Sequence, residues 1–266
     1  MNRVVFAADL DNTLIYSRKH IGSTEAFHCI EQLDGKEQGF ISRKTEEYLR
    51  DICQKLSFLP VTTRSMAQYQ RIQWPEDCVP ALALTANGAI LLEHGKVDLD
   101  WWKESRRYIE HFASELERLQ ERLRFTEAFH RCRMVDDSYL FIPCDASSDI
   151  TVAKQEIQEL TTLSVQASGR KLYALPHGID KGTAIQRLKR RFHISKVISA
   201  GDSMMDIPML QQADVAFSPS ELLWQPSGCK HLQRFVYQET GQDDLFSDYV
   251  LQSICRMIPP IHDFII

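Results

Sequence analysis

Short apolar runs of strand length recur along this chain, and several end in small or polar residues able to do chemistry. Val4-Val5-Phe6-Ala7-Ala8 leads into Asp9-Leu10-Asp11-Asn12-Thr13. Phe58-Leu59-Pro60-Val61 leads into Thr62-Thr63-Arg64-Ser65, and Pro80-Ala81-Leu82-Ala83-Leu84 into Thr85-Ala86-Asn87-Gly88. Lys196-Val197-Ile198-Ser199-Ala200 leads into Gly201-Asp202-Ser203, and Asp214-Val215-Ala216-Phe217 into Ser218-Pro219. Helical spacing lies between some of these runs. Residues 43–56 put Tyr48, Leu49, Ile52 and Leu56 on one face, and 181–191 do the same with Ala184, Ile185 and Leu188. Strands alternating with helices predict an α/β fold around a Rossmann-like parallel sheet, whose ligands sit at the carboxyl ends of the strands.

The middle of the chain breaks this alternation. A charged helical stretch is expected over 101–123, then two strands over 129–143 around a tight turn at Asp136-Asp137. A helix capped by Asp149 is expected up to 163, followed by two strands over 165–176 turning at Ser168-Gly169. This αββαββ order predicts an inserted α+β module at 96–177, with the core formed by 1–95 and 178–266. A further hairpin is expected over 27–41, turning at Asp34-Gly35.

Composition narrows the function. The chain has 266 residues, 44% of them hydrophobic and 25% charged, with a formal net charge of -5 and no long basic run. Nucleic acid and membrane are therefore not expected as partners. The first apolar run is too short, and too soon broken by Asp9, for a signal peptide. No run reaches the roughly 18 apolar residues of a membrane span. The seven cysteines are odd in number and contain no Cys-x-x-Cys pair, so neither zinc nor a disulfide framework is expected. Reduced thiols point to a cytoplasmic protein.

The most informative residues are Asp9 and Asp11. A buried strand that ends in Asp-x-Asp places two carboxylates beside one small volume, where each disfavours the other's ionisation. A divalent cation relieves that conflict. The expectation is a Mg²⁺ site at the end of a central strand, with one aspartate free to act as a nucleophile.

The segment Asp9-Leu10-Asp11-Asn12-Thr13 resembles the first motif of the haloacid dehalogenase superfamily of phosphohydrolases. Thr62 in Val61-Thr62-Thr63-Arg64 resembles the second motif, and Lys181 in Gly178-Ile179-Asp180-Lys181-Gly182 the third. Gly201-Asp202-Ser203-Met204-Met205-Asp206 resembles the fourth. Thr85-Ala86-Asn87-Gly88-Ala89-Ile90 is similar to a segment of the Cof-like and sucrose-phosphate-phosphatase-like branch. In that branch a C2B-type cap lies between the second and third motifs, where the α+β module is expected. Two positions depart from the pattern: Thr63 replaces the usual Gly of Thr-Gly-Arg, and Met205 stands where Asn is common.

The resemblance implies a role for each residue. Asp9 is the nucleophile and a metal ligand. Asp11 shuttles a proton to the leaving alcohol and from the attacking water, and lends its backbone carbonyl to Mg²⁺. Asp202 binds Mg²⁺ directly, with Asp206 in or just outside its coordination sphere. Thr62 donates to a phosphoryl oxygen, and Lys181 adds positive charge at a helix start. Thr63, Arg64, Asn87, Arg170 and Lys171 join Thr62 and Lys181 as candidate substrate contacts, and Arg131 and Arg133 are further cations of the cap. A cap contact from Arg170 or Lys171 would favour a second anionic group on the substrate. His177 is expected to pack the hinge and the pair Trp101-Trp102 to pack the cap. The 27–41 hairpin is expected to act as a flap that excludes water.

The activity so implied is Mg²⁺-dependent hydrolysis of small phosphorylated metabolites, sugar or polyol phosphates, by a monomer or homodimer. The alternatives are a phosphotransferase of the phosphomannomutase type and a non-catalytic binding protein on the same scaffold.

Overall fold

The computed structural model describes residues 3–22, 24–222, 228–236 and 245–258. Strand β1 (Arg3–Ala8) lies second from one edge of a five-stranded parallel sheet. Two short segments follow it: β2 (Tyr16–Ser17), and the hairpin of β3 (Phe27–Leu33) and β4 (Lys36–Ser42). Helix α1 (Arg43–Cys53) leads to β5 (Ser57–Pro60), and the short α2 (Met66–Tyr69) comes before β6 (Leu82–Thr85), β7 (Ile90–Glu93) and β8 (Lys96–Val97).

The inserted part runs through α3 (Leu99–Glu110), α4 (Ala113–Arg124), β9 (Arg133–Val135) and β10 (Tyr139–Pro143). It continues with α5 (Ile150–Gln158), β11 (Ser164–Ser168) and β12 (Lys171–Leu175). The chain returns through α6 (Lys181–Phe192), β13 (Ile194–Ala200), α7 (Ile207–Gln211), β14 (Val215–Pro219), β15 (His231–Phe235) and α8 (Phe246–Met257).

The parallel sheet has the order β15-β14-β13-β1-β5. Helices cover both of its faces, so Val5, Phe6, Ala7 and Ala8 are all buried and β1 reads as a continuous apolar run rather than an alternating one. The inserted sheet, β11-β12-β10-β9, is wholly antiparallel. Its pairing sets two faces. Leu140, Ile142, Leu172 and Ala174 are buried, and α4 and α5 pack against β10 and β11. The alternate positions, Arg133, Tyr139, Phe141, Lys171 and Tyr173, share the other face. The α/β class with an inserted α+β cap is as expected.

Local chemistry explains the turns. Asp34 and Gly35 both take positive φ between the paired Leu33 and Lys36, the two-residue geometry that matches strand twist. Asp136 and Asp137 also take positive φ, in the three-residue turn between Val135 and Tyr139. The Asp149 side chain accepts from Thr151 N and Val152 N at the start of α5.

Three expectations need correction. The stretch 101–123 is not one helix: it breaks at His111-Phe112 into α3, which packs against β7, and α4, which packs against β10 of the cap sheet. The strand expected at 80–84 is not a full member of the parallel sheet. Val61 forms an isolated parallel bridge to Leu84, but β6 otherwise pairs antiparallel with β7. Trp101 packs the core rather than the cap. It is buried, donates from Nε1 to Gly88 O at 3.1 Å, and stacks under the Arg187 guanidinium at 3.7 Å. No helix among the described residues is long and apolar enough to cross a membrane.

Candidate active site at the carboxyl ends of the parallel strands

Each strand end delivers one part of the site. Asp9 follows β1, its amide still held by Ala200 O at 2.9 Å, so the nucleophile candidate is fixed by sheet hydrogen bonding. The chain then turns tightly: Leu10 O accepts from the amides of Thr13, Leu14 and Ile15, and Asn12 takes a φ of 60°. Thr62 follows β5, its amide donating to Leu84 O at 2.9 Å. Its buried Oγ1 accepts from Arg64 N at 3.1 Å and so shapes the turn that carries Arg64. Thr63, where glycine is usual, is not among the residues with positive φ, so a β-branched side chain is tolerated.

Lys181 begins α6, which Asp180 caps by accepting from Thr183 N. Its ammonium is almost fully buried and donates to Asp9 Oδ1 at 2.5 Å and to Asp206 Oδ1 at 2.6 Å. Asp206 Oδ2 accepts from Ser203 N at 2.9 Å and Ser203 Oγ at 2.8 Å. Thr13 Oγ1 donates to Asp202 Oδ1 at 3.0 Å, joining the first motif to the fourth. Gly201 is required where it sits, because a Cβ there would lie 2.3 Å from Asp206 Cβ. Met205 is buried in the apolar core, so the usual Asn position here serves packing.

Carboxylate oxygens of Asp9, Asp202 and Asp206 lie within 4.8 Å of one another. An all-oxygen set of this size suits a hard divalent cation. The electrostatics agree. Burial pushes the Asp9 carboxyl up to about 7, with Asp206 and Asp11 adding repulsion and Lys181 opposing it. Burial, then the charges of Asp206 and Asp9, raise Asp202 well above the ordinary carboxylate value. Burial works against the charge on Lys181, but its two carboxylate partners outweigh this and raise its pKa.

Asp11 behaves differently. Burial alone would raise it, but Arg64, with Lys171 and Lys181 behind it, outweighs burial and holds its carboxyl below the ordinary value. Arg64 donates to both Asp11 oxygens, at 3.1 and 2.8 Å, and to Glu31 Oε2 at 2.7 Å. Glu31, on β3 of the hairpin, also accepts from Arg71 at 2.9 and 3.1 Å. The reading of the sequence missed Glu31. Its one signal in the sequence is that it is the single acid of the strand; the fold pairs it with Gly39 and buries it.

The remaining candidates are spread more widely. Asn87 is buried at positive φ and donates to Ile179 O at 3.1 Å, so it ties the β6–β7 connection to the return into α6. Lys171 reaches the cleft beside Asp11, whereas Arg170, at its rim, donates to Ser148 O at 3.0 Å. Arg133 lies 4.5 Å from the centre of the Phe141 ring, and Arg131 pairs with Asp145. His177 packs on Phe112 at the hinge and contacts Thr162 O. The cap is seated on the core: the Tyr139 hydroxyl donates to Thr63 O, and Asp136 Oδ2 accepts from Met66 N at 2.7 Å.

Comparison with known proteins finds a family match for part of the chain and relatives for its fold. Residues 131–218, which include Lys181, Asp202 and Asp206, match the family described as haloacid dehalogenase-like hydrolase. A phosphoglycolate phosphatase of Pyrobaculum islandicum is 34% identical over 86 residues, 32% of this chain and 36% of that protein. The match thus spans about a third of that relative's length.

The fold likeness is broader. The sucrose-phosphatase of Synechocystis, solved with sucrose and phosphate, has a TM-score of 0.65 at 20% identity over 96% of this chain and 98% of that one. The C-terminal domain of a trehalose-6-phosphate phosphatase from C. albicans has a TM-score of 0.60 at 13% identity, over 97% and 94%. The segment with the third and fourth motifs thus matches the haloacid dehalogenase-like family, and the chain as a whole shares the fold of these phosphatases, inserted cap included.

Proposed function

We propose that this protein is a Mg²⁺-dependent phosphatase of small phosphorylated metabolites, of the sugar or polyol phosphate class, acting through a phosphorylated Asp9. One observation carries the proposal: Lys181 bridges Asp9 and Asp206 beside Asp202 at the ends of the parallel strands. We take 1–95 with 178–266 as the catalytic core, 96–177 as the cap, and the cytoplasm as the place of action, given seven free cysteines.

Asp9, Asp202 and Asp206 would hold the metal, which supplies positive charge to offset both the carboxylates and the phosphoryl oxygens. Lys181 holds Asp9 Oδ1, which leaves Oδ2 to attack phosphorus in line with the leaving oxygen. Lys181 also adds charge to the phosphoryl group, together with the start of α6 and the Thr62 hydroxyl. Asp11 gives its proton to the leaving alcohol and then takes one from the water that hydrolyses the acyl phosphate.

Arg64 holds Asp11 ionised, the form the second half-reaction needs. The incoming ester has to draw Arg64 off Asp11 before that carboxyl can act as an acid. The reading is supported by the sugar-phosphate phosphatases that share the fold and by the phosphoglycolate phosphatase that matches 86 residues of this chain.

The test is phosphate release from a panel of phosphate esters with Mg²⁺, by wild type and Asp9→Asn. Phosphate release lost in Asp9→Asn supports the proposal. Isomerised ester in place of free phosphate indicates a mutase, and no turnover at all indicates a binding protein.

A further inference from the structure

We propose that the leaving group of the substrate carries an anionic group of its own, a carboxylate or a second phosphate, bound by Arg133 and Lys171 of the cap. This deepens the phosphatase reading and rests on it. The geometry begins at Asp11. A chamber of about 320 Å³ opens there between the core, the β3–β4 hairpin and the cap sheet. Its lining contains Asp11 but not Asp9, Lys181 or Asp202, so it extends away from the phosphoryl position. The proton shuttle sits where the leaving oxygen must be, so the chamber is where the rest of the alcohol goes.

The charges in that chamber do not cancel. Arg64, Arg71, Arg133 and Lys171 face Asp11 and Glu31. Asp11 and Glu31 share Arg64, and Glu31 also takes Arg71. Neither Arg133 nor Lys171 has a carboxylate within ion-pair distance among the described residues. Both are put on the inward face of the cap sheet by register, Arg133 opposite Phe141 and Lys171 opposite Pro143. Arg133 is not loose: its guanidinium lies 4.5 Å from the centre of the Phe141 ring. Lys171 is close enough to Asp11 for its charge to bear on that carboxyl, and it lines both the chamber and the wider cleft at the cap edge.

A neutral polyol would leave these two cations facing only its hydroxyls. An anion on the alcohol gains charge-assisted hydrogen bonds from both, in a site walled by Tyr139, Phe141 and Tyr173. The planar guanidinium favours an oxyanion with two oxygens to offer.

The experiment compares esters that differ only in that group. With Mg²⁺, kcat/KM is measured for 3-phosphoglycerate against glycerol 3-phosphate, and for fructose 1,6-bisphosphate against fructose 1-phosphate. The acid-bearing member of at least one pair should be preferred by about tenfold or more. The first pair reports a carboxylate and the second a phosphate. In the double variant Arg133→Gln/Lys171→Gln the preference should collapse towards one, chiefly through KM, while circular dichroism confirms the fold. Equal turnover of both members of both pairs, or a preference the double variant leaves intact, overturns the anion subsite while the phosphatase reading stands. No phosphate release from any ester overturns both.

Discussion

Arg64 grips Asp11 by both carboxylate oxygens, through Nε at 3.1 Å and Nη2 at 2.8 Å. A bidentate pair of this kind favours the ionised carboxyl and opposes its use as an acid. Arg64→Gln should therefore raise the pKa of Asp11 and move the acidic limb of the kcat profile to higher pH. A pH–rate series on an alkyl phosphate checks this, and an unmoved limb would detach Arg64 from the proton shuttle.

Glu31 holds the other side of Arg64 and anchors Arg71, with only 4% of its side chain exposed. Glu31→Gln removes the charge that both guanidinium groups were packed around. Because Arg71 is 30% exposed, the loss should fall below that of a fully buried pair, at about 2 kcal/mol. Urea unfolding measures the stability. Turnover should fall as well, since the hairpin loses its anchor beside Asp11.

The metal-free site should be most strained near neutral pH. Folded Asp9 keeps its proton up to about 7, whereas an unperturbed carboxyl loses it near 3.8. Across that window the folded state binds more protons than the unfolded one, so this group's contribution to stability falls as pH rises. Metal-free Asp9→Asn should accordingly melt higher than wild type at about pH 7.5, by an amount on the order of a few kcal/mol, with the gap closing towards pH 4. Added Mg²⁺ should stabilise wild type more at pH 7.5 than at about pH 5.5, because its ligands must shed protons to bind. Thermal melts with and without EDTA check both.

Gly201→Ala places a methyl group 2.3 Å from Asp206 Cβ. Asp206 must move, and Lys181 loses one of its two carboxylates. The expected outcome is a fall in kcat of about a hundredfold with weaker Mg²⁺ affinity, read by steady-state kinetics across a metal titration.

Much of this site was legible because its chemistry is compressed into residues at strand ends. Asp9, Lys181, Asp202 and Asp206 come from three separate segments, yet each follows an apolar run or opens a helix, and the sheet brings them together. The helix faces also read correctly: Ala184, Ile185 and Leu188 are all buried. What did not read were features set by tertiary contact. Charge density alone does not mark the break at His111-Phe112. The antiparallel return of β6 onto β7 follows from the turn at Ala86-Asn87, where both residues take positive φ. Glu31 gained its meaning only when folding brought it to Arg64 and Arg71. Trp101 looked like a cap residue until Arg187, far along the chain, stacked over it.

The most direct test of the central claim is to look for phosphate on Asp9 itself. Enzyme turning over a phosphate ester with Mg²⁺ is quenched in acid within milliseconds, digested and examined by mass spectrometry. A phosphoryl adduct on the peptide containing Asp9, absent from Asp9→Asn together with turnover, is the predicted result. Sustained phosphate release by Asp9→Asn, or an adduct on another residue, would contradict the account.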